Sequence, residues 1–259
     1  MVSKIAFMLA SGAIPNPKKL LALTFSVNAA MKIKKDITQQ VPIILGDIKI
    51  DYQISDKILV SNYHGFSRRL LKRYGYNIHS ELANVEKLST MDDSNATYLT
   101  QQIIGLSYAS ALVLAQFNEQ VKKVNISYVQ QHMDAYNQIV IEELLPRKLL
   151  PYNGILTLAT KLLKDLPIVR EFYRTVYSTV LVDEFQDTNT LSYILLYYII
   201  GEKTSVILMG DGLQRIYGFM GAVPNLLNYA ATQFGLTKIS LNKNYRSKDN
   251  EQMLRLDQN

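Results

Sequence analysis

The chain has 259 residues, 48% hydrophobic and 19% charged: enough apolar material for a sizeable core, and too little charge for a wholly disordered chain. The formal charge of +6 is a mild basic excess that suits a polyanionic partner without specifying one, because Lys and Arg that neutralise phosphates release counterions. Cysteine is absent, which excludes disulfides, thiolate metal sites and cysteine nucleophiles and fits a reducing cytoplasm.

Taken in chain order, residues 1–14 read as the tail of a helix and a turn. The apolar stretch from Ile5 to Ala10 is short for a signal peptide, and Pro15-Asn16-Pro17 follows in place of a clear cleavage site. Short apolar runs predict buried strands at 20–25 and 57–61. From about Ser80 to Leu166 the periodicity is mostly helical. Over 126–145, Val129, Met133, Tyr136, Ile139, Val140 and Leu144 share one helix face, and Pro146, Pro151 and Pro167 punctuate the helices. Residues 90–95, with Asp92-Asp93-Ser94-Asn95, predict an exposed turn. Strands are expected again at 178–182, 205–209 and 238–241. The run at 191–200 is about half a membrane span. Strands alternating with helices imply an α/β sheet that binds ligands at the carboxyl ends of its strands.

The sharpest segment is Val182-Asp183-Glu184-Phe185-Gln186-Asp187-Thr188, where an apolar strand runs into two adjacent carboxylates. ATP hydrolysis needs such a pair: one carboxylate to hold Mg²⁺, the other to orient or deprotonate the attacking water. The same residues equally fit a strand end followed by a capped helix. A second strand delivers Asp211, followed by Gln214 and by Tyr217 and Phe219 between glycines. On an exposed loop those rings would stack unpaired bases; inside, they would be core aromatics. Tyr245-Arg246 pairs a ring with a guanidinium fork able to meet phosphate. Phe25-Ser26 and Asn62-Tyr63-His64 place small polar groups and aromatics just after strands, and His64 alone fits a packed core position.

Together and in order, these five segments resemble the motifs of UvrD/Rep-type superfamily 1A DNA helicases, and they run from Leu20 to Ser247, nearly the whole chain. The resemblance implies a RecA-like parallel sheet of the P-loop NTPase type, flanked by helices, with an all-helical insert. The ATPase subdomain would occupy 1–79 and 167–236, the insert 80–166, and the start of a second motor domain 237–259. It implies ATP and Mg²⁺ as cofactors. Asp183 would ligate the metal, Glu184 would be the catalytic base, Gln214 the γ-phosphate sensor, Arg246 the arginine finger and Tyr245 an adenine stack. Gln186 and Asp211 would complete the nucleotide site. Phe25, Asn62, Tyr63, His64, Tyr217 and Phe219 would contact single-stranded DNA. The implied activity is 3′–5′ translocation and unwinding at single/double-strand junctions, in cytoplasmic DNA repair or recombination.

The sequence departs from the family pattern in places. No Gly-Lys-Ser/Thr occurs, so the first strand and the P-loop are expected to be missing, with the backbone cradle, the phosphate lysine and the Mg²⁺ hydroxyl. The chain also stops twelve residues after Ser247. The expectation is a truncated reading frame rather than decay. Met220 stands where the family usually has Arg, Gly212-Leu213 replace a more polar pair, and Val27-Asn28 replace Asn-Lys. The alternatives are a non-catalytic pseudo-ATPase that grips nucleic acid, and the helicase part of a RecB/AddA-like helicase–nuclease.

Overall fold

The computed structural model describes residues 1–48, 50, 52–211 and 226–241. Its strands are β1 (Lys19–Thr24), β2 (Ile58–Asn62), β3 (Ser89–Met91), β4 (Leu149–Pro151), β5 (Tyr177–Val182) and β6 (Ser205–Leu208). Its α-helices are α1 (Val2–Ala10), α2 (Val27–Leu45), α3 (Ile54–Lys57), α4 (Tyr63–Tyr74), α5 (Ala96–Gln102), α6 (Tyr108–Lys122), α7 (Ile126–Ile139), α8 (Tyr152–Asp165), α9 (Pro167–Val176), α10 (Thr190–Ile199) and α11 (Leu226–Gln233). Met1–Leu227 form one compact unit, and the chain from Asn228 onward belongs to a second.

The main sheet has the order β2-β1-β5-β6, and every pairing in it is parallel. Central β1 is buried almost end to end, as expected of a parallel strand covered on both faces. Leu20, Ala22 and Leu181 pack with Ile5, Leu9, Ile33, Ile37 and Val41 under α1 and α2. By the two-residue alternation of a strand, Leu21, Leu23, Val180 and Val182 face the opposite layer. There α8 packs against both α4 and α10. The sheet is therefore a dry slab with helices on each side, and its carboxyl edge is where strands emerge into loops.

Four of the expected strands lie within a residue of their predicted places. The fifth does not form. Residues 238–241 pair with no described backbone, and Ile239 and Leu241 are 80% and 93% exposed; among the described residues this apolar run has no neighbouring strand whose ladder it could join.

The region between β2 and β5 is helical apart from the short parallel pair β3/β4. The expected helix at 126–145 changes pitch at its end, running as α7 to Ile139, then a π turn over Val140–Leu144 and a 3₁₀ turn over Leu145–Arg147. The exposed turn expected at 90–95 is corrected in two respects, the first being that Thr90 and Met91 belong to β3. Asp92 caps it by accepting from Ser94, but Asp93 is buried, accepting from Tyr136 Oη at 2.5 Å and Asn118 Nδ2 at 2.5 Å. Among the described residues no helix is long and apolar enough to cross a membrane.

Candidate active site

The carboxyl edge of the sheet gathers those predicted motifs that fall among the described residues, because the strands end almost level. Thr24 lies beside Asn62 in the β1/β2 register, and Leu23 lies beside Val182 in the β1/β5 register. Each end is finished by a side-chain cap. Ser26 accepts from Ala29 N–H at 3.0 Å to start α2. Asn62 accepts from Gly65 N–H at 2.9 Å to start α4. Asn189 accepts from Ser192 N–H at 2.9 Å to start α10. Three helix N-termini thus begin on the edge that carries the acidic pair, and their dipoles favour negative charge there.

The acidic pair sits where β5 leaves the sheet. Asp183 N–H donates to Leu23 C=O at 2.9 Å, and Phe185 N–H donates to Met209 C=O at 2.9 Å, so the turn is pinned to β1 on one side and to the end of β6 on the other. Between these anchors Glu184 takes a left-handed conformation, φ 51° and ψ 43°. A side chain bears that conformation at a cost of about 1–3 kcal/mol, and only where the surroundings fix it. The turn throws both carboxylates to the same end of the strand, with Asp183 half-buried and Glu184 exposed.

Burial raises the pKa of Asp183 above its ordinary value, and the negative charge of Glu184 raises it further. A backbone hydrogen bond at Glu184, the N-terminal ammonium and Lys32 oppose the rise. Lys32 belongs to no motif. Its only sequence signal is its place in α2 six residues after the Ser26 cap, and that says nothing of which strand it faces.

Gln186 is buried, and both ends of its amide are engaged. Its Nε2 donates to Glu184 Oε2 at 2.6 Å, and its Oε1 accepts from Asp211 N–H at 3.1 Å. The backbone of β6's end approaches so closely that a Cβ on Gly210 would lie 2.6 Å from Gln186 Oε1 and 3.3 Å from Phe185 N. Gly210 is therefore required by contact, a point that the sequence reading missed.

Of the residues expected to contact DNA, Phe25 is partly exposed just beyond β1. Asn62 is spent on its cap. Tyr63 is 1% exposed, with its hydroxyl 3.3 Å from Thr188 Oγ1. Its ring ties α4 to the loop after β5 and offers no open face for a base. His64 is largely buried; burial lowers its pKa, a backbone hydrogen bond at Tyr152 opposes that, and the charge of Arg68 lowers it again. Gln214, Tyr217, Phe219, Tyr245 and Arg246 lie outside the described residues.

A family model for the UvrD/REP helicase N-terminal domain matches residues 1–235. The chain belongs to this family. It is 28% identical to the ATP-dependent DNA helicase PcrA of Bacillus subtilis (strain 168), across 95% of this chain and 34% of that protein. It is 26% identical to DNA helicase II of Escherichia coli (strain K12), across 96% of this chain and 35% of that protein. It is 25% identical to the ATP-dependent DNA helicase Rep of Buchnera aphidicola, across 90% of this chain and 34% of that protein. The chain thus spans about a third of the length of the relatives it matches. Within this UvrD/REP domain, the structure brings Asp183, Glu184, Gln186 and Asp211 together on one edge, with Phe25 and Asn62 on neighbouring strand ends.

Proposed function

We propose that this domain is the nucleotide-hydrolysing part of an ATP-dependent 3′–5′ DNA helicase or translocase, acting on single strands and at single/double-strand junctions in cytoplasmic DNA repair or recombination. One observation carries the reading: two adjacent carboxylates at the carboxyl tip of β5, one half-buried in the sheet and the other held by Gln186 against the end of β6. Such an edge suits a polyphosphate: helix N-termini supply positive potential, and the carboxylates supply hard oxygen ligands.

The site fits Mg²⁺. Asp183 faces a like charge that raises its pKa, and a divalent cation reverses that repulsion. Asp183 would hold the ion, which when bound neutralises charge on the phosphates. Glu184 would take the proton of the attacking water, and Gln186 fixes which Glu184 oxygen remains free for it. Gln214 and Arg246 would meet the γ-phosphate, and Tyr245 the adenine. Phe25 would stack on the strand, with Tyr217 and Phe219 on the same track.

The test is DNA-stimulated ATP hydrolysis by this chain supplied with a family Walker A loop and a second motor domain. Hydrolysis that rises with single-stranded DNA supports the reading, and binding of DNA with no turnover favours a pseudo-ATPase. The 259 residues alone are expected to hydrolyse ATP negligibly, because no Gly-Lys-Ser/Thr is present to grip the phosphates.

A further inference from the structure

The opposite edge of the sheet holds a depression of its own. It is a cavity of about 450 Å³ lined by Leu59, Phe66, Arg69, Lys72, Arg73, Tyr173 and Tyr177. Leu59 and Tyr177 stand at the starts of β2 and β5, so the cavity lies at the amino edge. It is separated from Asp183 by the length of β5, roughly 20 Å at ~3.3 Å per residue.

The charged groups of this lining are all cationic. Arg69, Lys72 and Arg73 are exposed along the last turns of α4. Lys72 is paired with Glu86 at 2.6 Å, but neither Arg69 nor Arg73 has a carboxylate partner among the described residues. Arg73 is held in place by rings, with its guanidinium carbon 5.6 Å from the centroid of Tyr74 and 6.0 Å from that of Phe172. Beneath the cations lies a buried aromatic cluster, with Phe66 1%, Tyr173 8% and Tyr177 9% exposed. Phe66 meets Tyr173 edge-on at 5.9 Å and Tyr177 at 6.3 Å, and the two tyrosines are 5.8 Å apart. Burial raises the pKa of both phenols, so they remain O–H donors at neutral pH. Two guanidinium forks with no carboxylate partner among the described residues, and no carboxylate in the lining, together match a phosphate.

We propose that this amino-edge cavity is a second nucleic-acid contact, in which Arg69 and Arg73 clamp one backbone phosphate of the strand. The proposal rests on the nucleic-acid part of the function proposed above. It adds a contact remote from the hydrolytic edge, one able to hold the strand whatever the state of the nucleotide site.

The experiment is fluorescence anisotropy of labelled oligothymidylate with the whole 259-residue chain over a salt series. Thymidine monophosphate and poly-glutamate serve as competitors. Replacing both arginines (Arg69→Ala with Arg73→Ala) is expected to weaken binding about tenfold or more and to reduce the log–log salt slope by about 0.7, the value of one lost phosphate contact on a single strand. Changing both to Lys keeps most of the slope but loses part of the affinity, because the fork and the stacking go while the charge stays. Matching circular dichroism spectra establish that the variants fold. Displacement by thymidine monophosphate identifies a single nucleotide as sufficient, and displacement only by oligonucleotide identifies the strand; both agree with the proposal. Binding that survives loss of both arginines overturns the cavity alone. Equal displacement by poly-glutamate overturns it in favour of an acidic protein partner. No oligonucleotide binding by the native chain overturns both the cavity and the nucleic-acid reading of this domain.

Discussion

Gln186 donates through Nε2 to Glu184 Oε2 at 2.6 Å. Its other end accepts from Asp211 N–H, so one buried amide sets the position of the acid after β5 by reference to the end of β6. We read Gln186 as a positioning residue, because both ends of its amide are already engaged by Glu184 and Asp211. Gln186→Ala is expected to lower kcat for DNA-stimulated ATP hydrolysis about 10- to 100-fold, a range typical of lost orienting partners, with a smaller change in KM for ATP. Gln186→Glu places a like charge against Glu184 and is expected to be no better. A change confined to KM would mean that Gln186 binds nucleotide directly.

Gly210→Ala tests the close approach of β6's end to that amide. The new Cβ meets Gln186 Oε1 at 2.6 Å and backbone nitrogens at 3.1 and 3.3 Å, where the main chain has little room to yield. Chemical denaturation is expected to show a loss of about 1–3 kcal/mol. Unchanged stability would place the two loops further apart than described.

Asp93 makes the fold sensitive to pH. Burial raises its pKa, the bonds from Tyr136 and Asn118 oppose the rise, and Asp92 adds to it. Between the ordinary aspartate value of about 3.9 and the raised folded value, the folded chain keeps a proton that the unfolded chain has released. Stability therefore falls as pH rises through that window. Asp93→Asn is expected to flatten this fall, measured as unfolding free energy against pH beside the native chain. Tyr136→Phe leaves the acid with one donor fewer and is expected to cost about 1–3 kcal/mol. Parallel pH curves for Asp93→Asn and the native chain would contradict the account.

The hydrophobic runs made the sheet legible. Leu20–Leu23 and Val180–Val182 are apolar at every position, as a strand buried on both faces demands, and each ends in residues that cap or turn. The Asp183–Glu184 pair was legible for the same reason, because a buried strand delivers whatever follows it to one edge. What sequence did not show depends on contacts between distant segments. Tyr63 looked like a base-stacking ring, but Thr188 claims its hydroxyl from 125 residues away. Gln186 looked like a ligand contact, but its amide is filled by Glu184 and Asp211. Asp93 sits in a run of turn formers, and only the packing of α6 and α7 draws it inside. The β3/β4 pair is three residues per strand, too short for a periodicity to register.

The most direct measurement is the rate of DNA-stimulated ATP hydrolysis with Glu184→Gln, in this chain carrying a Walker A loop and a second motor domain. Glutamine is nearly isosteric and retains an oxygen to accept from Gln186, so folding stability should stay within about 0.5 kcal/mol. Loss of the proton acceptor should cut kcat by roughly 10²- to 10⁴-fold, with single-strand binding intact. A variant that folds, binds DNA and hydrolyses ATP at the native rate would contradict the assignment of Glu184 as the base, and with it the reading of the β5 edge as the hydrolytic site.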